Sequence, residues 1–131
     1  MMVKTVLIVE DYEDARVMMK VLVELCGYKA VEAVDGFDAI EKVKTCSPQL
    51  IFMDLSMPRM DGITATQEIR HMNGFANTPI VALTAYGDLH GQEAIDAGCN
   101  EVIPKPMDFE RLQPLLDKYL ISHASADHSA N

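Results

Sequence analysis

Four-residue apolar runs, separated by stretches with helical spacing, set out the layout of this chain. Val6-Leu7-Ile8-Val9, Leu50-Ile51-Phe52-Met53 and Ile80-Val81-Ala82-Leu83 contain no polar residue, as strands buried on both faces require. Ala30-Val31-Glu32-Ala33 is half polar and reads as an edge strand, and Glu101-Val102-Ile103 as a last short strand. Met18, Val21, Leu22 and Leu25 fall at i, i+3, i+4 and i+7, which predicts a helix turning those residues inward and stopping at Gly27. Asp35 is placed to cap a second helix, with Phe37, Ile40 and Val43 toward the core and Pro48 ending the unit. A third helix is expected from Ile63 to His71, and a fourth from Asp88 to Ala97, closing on Gly98. Asp108 would cap the last, which bears Phe109, Leu112, Leu116 and Tyr119. Pro114 falls inside that helix, where it removes a hydrogen bond and crowds the preceding turn. The helix is therefore expected either to kink at Pro114 or to begin its regular part there.

Five β/α units in this order imply an α/β fold: a parallel sheet covered by helices on both sides. The 131 residues suit one domain of ordinary size. The pattern runs out near Leu120. The segment from Ile121 to Asn131 is small, polar and rich in Ser, Ala and His, and reads as a disordered tail. The expected organisation is thus a domain over residues 1–120 and a tail over 121–131. Met1 reads as a native start, and the tail as either a native end or the beginning of a linker.

Composition narrows the function. With 49% hydrophobic and 24% charged residues the chain is globular and can bury a core without staples. A net charge of −9 argues against direct contact with nucleic acid, which depends on clustered Lys and Arg, and favours a basic protein partner or a bound cation. Cys26, Cys46 and Cys99 are odd in number and widely spaced, so they read as small buried residues of a reducing cytoplasm. The run Val6–Val9 ends at once in Glu10 and Asp11, and no stretch nears the roughly 20 apolar residues that cross a bilayer. A cytoplasmic protein without membrane insertion is expected.

The chemistry lies where the buried strands end. Glu10 and Asp11 follow the first strand, Asp54 ends the third, Thr84 ends the fourth, and Lys105 follows the fifth. A doubly wound sheet binds ligands outside the carboxyl ends of its strands, so these five residues would converge on one crevice. Three clustered carboxylates repel one another, and a hard divalent cation such as Mg²⁺ offsets that cost. Thr84 and Lys105 could hold an anion beside it. Carboxylates, cation, hydroxyl and ammonium around one point suit phosphoryl transfer, with one carboxylate as nucleophile.

These stretches resemble the response-regulator receiver family: Val6-Leu7-Ile8-Val9-Glu10-Asp11, Asp54-Leu55-Ser56-Met57-Pro58 with Asp61-Gly62, Leu83-Thr84-Ala85, and Lys105-Pro106. The resemblance covers nearly the whole chain. It implies a flavodoxin-like, five-stranded parallel sheet of order 2-1-3-4-5 flanked by five helices. It further implies a regulatory phospho-acceptor that catalyses its own phosphorylation and dephosphorylation, not an ordinary enzyme. Asp54 would take a phosphoryl group from a phosphohistidine of a histidine kinase or phosphotransfer protein and so switch binding to a downstream protein. Asp11, Asp54 and the backbone carbonyl of Ser56 would ligate Mg²⁺, with Glu10 acting through water. Thr84 would hydrogen-bond the phosphoryl group and Lys105 would pair with it. The Lys105–Pro106 bond is expected to be cis. Where the family often has Tyr or Phe, three residues before the lysine, this chain has Val102.

Blander readings hold for several residues. His71, His90, His123 and His128 are scattered and carry no assigned role, and the nine Met residues suit core filling. Tyr86 is surface aromatic by default, though two residues after Thr84 it could overhang the site. A flavodoxin-like flavin binder needs a Ser/Thr/Gly-rich loop after the first strand, and Glu10-Asp11-Tyr12-Glu13-Asp14 would repel phosphate. A haloacid-dehalogenase-type Mg²⁺ phosphatase also uses an Asp nucleophile, but typically places a second Asp where this chain has Ser56. A purely structural interaction domain would not need the five polar residues together. A receiver excerpt of a larger regulator or hybrid kinase stays open beside a stand-alone protein.

Overall fold

In the computed structural model, residues 3–57, 59–85 and 90–121 are described. The elements alternate along the chain: β1 Thr5–Val9, α1 Glu13–Leu25, β2 Lys29–Ala33, α2 Gly36–Cys46, β3 Leu50–Asp54, α3 Gly62–His71, β4 Ile80–Thr84, α4 Gly91–Ala97, β5 Glu101–Pro104 and α5 Phe109–Leu116. The strands pair in parallel in the order 2-1-3-4-5, as expected. Pro58, Tyr86, Asp88 and the tail from residue 122 lie outside the described residues.

Period-two alternation of side chains divides the core into two layers. Val6, Ile8, Leu50, Phe52, Val81 and Leu83 point to the side covered by α1 and α5, where they meet Met19, Val23, Leu112 and Leu116. Leu7, Val9, Ile51, Met53, Ile80 and Ala82 point to the side of α2, α3 and α4, against Ala39, Val43, Ala65, Ile69 and Ala94. Because β1, β3 and β4 are covered on both faces, every residue of those apolar runs is buried, and a Val, Leu, Ile or Phe so placed contributes about 1.5–3 kcal/mol. Edge strand β2 is only half buried, matching its polar sequence.

Helix caps follow the sequence. Asp35 Oδ1 accepts from Asp38 N–H at 2.8 Å and Asp108 Oδ1 from Arg111 N–H at 3.0 Å. The inward faces need correction in two helices. In α1, Met18, Val21 and Leu25 are exposed, and the buried face is Met19 and Val23 with Leu22 and Cys26 partly covered. Val17 to Val23 is nearly all apolar, so helical spacing fits either of two neighbouring stripes, and packing against the sheet buries the second. Phe37 is also exposed rather than inward, and Phe109 is exposed as well. Both stand in the first turn of their helices, which overhangs the ends of the strands. Helix α5 begins at Phe109, not near Pro114. Pro114 sits exposed within it, and three residues later the backbone widens into a π-helical turn, Asp117–Ile121. Ile121, expected to open the tail, is the last residue of that turn. No helix among the described residues is long and apolar enough to cross a membrane.

Candidate functional site

The carboxyl ends of β1, β3, β4 and β5 deliver the expected polar residues to one edge of the sheet. Glu10 directly follows β1 and its N–H continues the sheet by donating to Ala33 C=O at 3.1 Å. Its side chain is buried, 1% exposed, and one oxygen accepts from Tyr12 N–H at 3.1 Å. Asp54 is the last residue of β3 and equally buried. Asp11 stands at the surface beside them. One carboxylate oxygen from each of Glu10, Asp11 and Asp54 lies within 4.8 Å of the others.

Lys105, one residue past β5, reaches this cluster from across β4. Its Nζ lies 3.1 Å from Glu10 Oε1 and 3.3 Å from Asp54 Oδ1, so one ammonium spans both buried carboxylates. Its N–H donates to Thr84 C=O at 2.8 Å, and the Lys105–Pro106 peptide is cis, as expected. Thr84 ends β4 one residue past Leu83, the register partner of Asp54. Its hydroxyl donates to Ala85 C=O at 3.3 Å. The Ser56 N–H donates to Asp54 Oδ1 at 3.1 Å, which seats the loop after β3 over the aspartate.

Charge crowding shifts the proton affinities of these groups. Burial, reinforced by the neighbouring Glu10 carboxylate, pushes the Asp54 carboxyl up to about 7. Burial acts to lower Lys105, but Asp54 and Glu10 outweigh it and hold the ammonium above its ordinary range. One cation cannot satisfy three carboxylates. Asp54 Oδ1 has two partners, whereas Oδ2 is a buried oxygen with no hydrogen-bond partner, the one such side-chain atom among the described residues. A buried polar atom left without a partner calls for an explanation, and an ion is one of the few available. Three carboxylates, two of them buried, one with an unpartnered oxygen, fit a hard divalent cation that prefers oxygen ligands.

Close packing fixes the loop geometry. A Cβ on Gly62 would lie 2.2 Å from Asp54 C=O, so only glycine lets α3 start against the Asp54 backbone. Asp61 caps α3 by accepting from Thr64 N–H at 2.8 Å. Beside the cluster, an apolar cavity of about 160 Å³ opens from Glu10 and Lys105 toward Met18, Met19 and Met107.

Two arginines next to the site carried no sequence signal. Arg16 donates to Glu10 C=O at 3.1 Å while pairing with Glu32 at 3.0 Å, which ties the turn after β1 to β2. Arg59 pairs with Asp35, tying the loop after β3 to α2. Each joins residues distant in sequence, so only the folded chain reveals the partner.

Residues 6–117 match the family described as the response regulator receiver domain. The chain is 38% identical to the chemotaxis protein CheY of Bacillus subtilis over 91% of its own length and 99% of that protein's. It is 30% identical to the polar-differentiation response regulator DivK of Brucella ovis, over 91% and 98%. Among solved structures, chemotaxis protein CheY4 of Vibrio cholerae superposes with a TM-score of 0.85 at 28% identity, covering 91% of this chain and all of the other. The receiver domain of a sensor histidine kinase from Pseudomonas aeruginosa, solved with a magnesium ion coordinated in its active site cleft, gives 0.83 at 29% identity, over 90% and 98%.

Proposed function

The chain belongs to the response regulator receiver family of two-component signalling, and from that membership and its strand-end site we propose that Asp54 is its phospho-acceptor. The observation that carries this reading is Asp54 itself: buried at a strand end among carboxylates, with Lys105 on one oxygen and nothing on the other.

Glu10, Asp11 and Asp54, with the Ser56 carbonyl, would hold Mg²⁺, Glu10 through water. When bound, the ion neutralises charge on the phosphoryl oxygens. A carboxylate oxygen of Asp54 attacks phosphorus as the bond to the donor's imidazole nitrogen breaks, and an acyl phosphate forms. Lys105 moves from the carboxylates to the incoming phosphoryl group, and the Thr84 hydroxyl leaves Ala85 C=O to donate to it. Hydrolysis reverses the assignment, with water attacking phosphorus and the Asp54 carboxylate leaving. A stand-alone cytoplasmic switch and the receiver of a larger regulator or hybrid kinase use the same chemistry.

The donor is a histidine kinase or histidine phosphotransfer protein. Exposed Tyr12, Val17, Met18 and Val21 begin beside Asp11 and give such a partner an apolar surface next to the site. The downstream partner is a protein, in keeping with the net charge of −9.

Incubation with Mg²⁺ and acetyl phosphate, read by intact mass, separates the receiver from a phosphatase. The expected result is one phosphoryl group per chain, absent in Asp54→Asn. Steady turnover of phosphomonoesters with no retained label would favour the haloacid-dehalogenase-type reading, for which Ser56 stands where a second Asp is typical.

A further inference from the structure

The loop between β3 and α3 brings Ser56 to the site, and its two ends are held by backbone bonds. Leu55 N–H donates to Leu83 C=O at 3.0 Å, and Gly62 N–H to Leu55 C=O at 3.2 Å. Gly36, the first residue of α2, donates to Met60 C=O at 3.2 Å, and a Cβ there would lie 2.6 Å from the Met60 side chain. The loop therefore rests directly on the start of α2.

Within this span stands Arg59 with φ of 66°, a left-handed conformation that favours glycine over arginine. Its side chain supplies the compensation. The guanidinium pairs with Asp35 and lies 6.0 Å from the centroid of the Phe37 ring. Asp35 is 2% exposed, and its other oxygen is taken by Asp38 N–H. A buried carboxylate needs a partner, and Arg59 provides the charge. The pairing holds the Asp35 carboxyl below its ordinary range, the Arg59 hydrogen bond being the main cause.

We propose that Arg59 and Asp35 are positioning residues for the cation site: their ion pair locks the β3–α3 loop onto α2 and so keeps Ser56 seated against Asp54 with its carbonyl preset as a ligand. This rests on the receiver reading above. Neither residue touches the reacting atoms, so the effect must reach the site through the loop.

The test is Mg²⁺ titration calorimetry on the parent, Arg59→Gly, Asp35→Asn and the double variant, with melting in chelator and acetyl phosphate labelling run alongside. Glycine removes the pair while accepting the left-handed backbone, and asparagine keeps the oxygen that caps α2. Arg59→Gly should bind Mg²⁺ about tenfold more weakly, the low end of what losing a supporting partner costs a metal site. Asp35→Asn should act in the same direction and serves if the glycine variant does not fold. The double variant should bind no more weakly than Arg59→Gly, because the two residues act as one. A lower melting temperature with unchanged Mg²⁺ affinity would overturn the inference, since it assigns the pair to stability alone. A parent that is labelled and binds Mg²⁺ beside variants that match it refutes this inference only. A parent that binds no Mg²⁺ refutes the receiver reading and this inference with it.

Discussion

The two ends of the sheet are built from the same strands and treat their polar groups in opposite ways. At the amino end, polar side chains close hydrogen-bond rings. Gln49 exchanges bonds with the Thr5 backbone, its Oε1 accepting at 2.7 Å and its N–H donating at 2.9 Å. Asn100 does the same for Ile80 at 2.9 and 2.7 Å, and Lys4 Nζ donates to Leu120 C=O at 2.7 Å. Glu101 receives both Lys118 and the Tyr119 hydroxyl. At the carboxyl end, Glu10 and Asp54 are buried beside each other, share one ammonium, and leave an oxygen unpartnered. The first end supplies stability. The second holds like charges together at a cost to stability, as the proposed binding of a cation and a phosphoryl group would require.

Substitutions at the two ends should therefore fail in different ways. Asp11→Ala removes a ligand from a crowded cluster, so Mg²⁺ affinity should fall by at least the ten- to hundredfold typical of lost supporting contacts, about 1.4 kcal/mol or more. Without metal the variant should melt no lower than the parent. Calorimetric titration showing parental affinity would break the contrast. Asn100→Ala at the opposite end leaves the Ile80 N–H unpaired and should lower stability by about 1–3 kcal/mol in urea unfolding, with Mg²⁺ affinity unchanged. A fall in affinity there would mean that the two ends are not independent.

A smaller effect concerns pH. Burial beside Glu10 raises the Asp54 carboxyl to about 7, above its ordinary value. The folded state thus holds this proton more tightly than the unfolded chain does. Its contribution to stability is fully present below the ordinary carboxylate range and is lost as pH rises through about 7. In chelator, the stability difference between parent and Asp54→Asn should shift against the parent across that window. A difference independent of pH would show that Asp54 is not perturbed.

The sheet was legible because its signal is local. Strands β1, β3 and β4 are apolar at every core position, and a parallel sheet covered on both faces demands that composition. The site was legible for a related reason: Glu10, Asp54 and Lys105 stand where apolar runs stop, and the topology alone brings them together. Helix faces were less so. The stripe of Met18, Val21 and Leu25 has the right spacing but the wrong rotation, since Met19 and Val23 fit the same period. Phe37 had every mark of a core residue, and in the fold it is exposed and lies under Arg59. Arg59 itself was invisible, because its partner lies 24 residues away.

The central claim is that Asp54 alone carries the phosphoryl group, and chemical trapping tests it most directly. Protein labelled with acetyl phosphate and Mg²⁺ is reduced with borohydride, which converts the acyl phosphate of an aspartate into homoserine, and peptides are mapped by mass. Homoserine is expected at position 54 and at no other acidic residue, with Glu10 and Asp11 intact. Homoserine at position 11, or label that persists undiminished in folded Asp54→Asn, would contradict it.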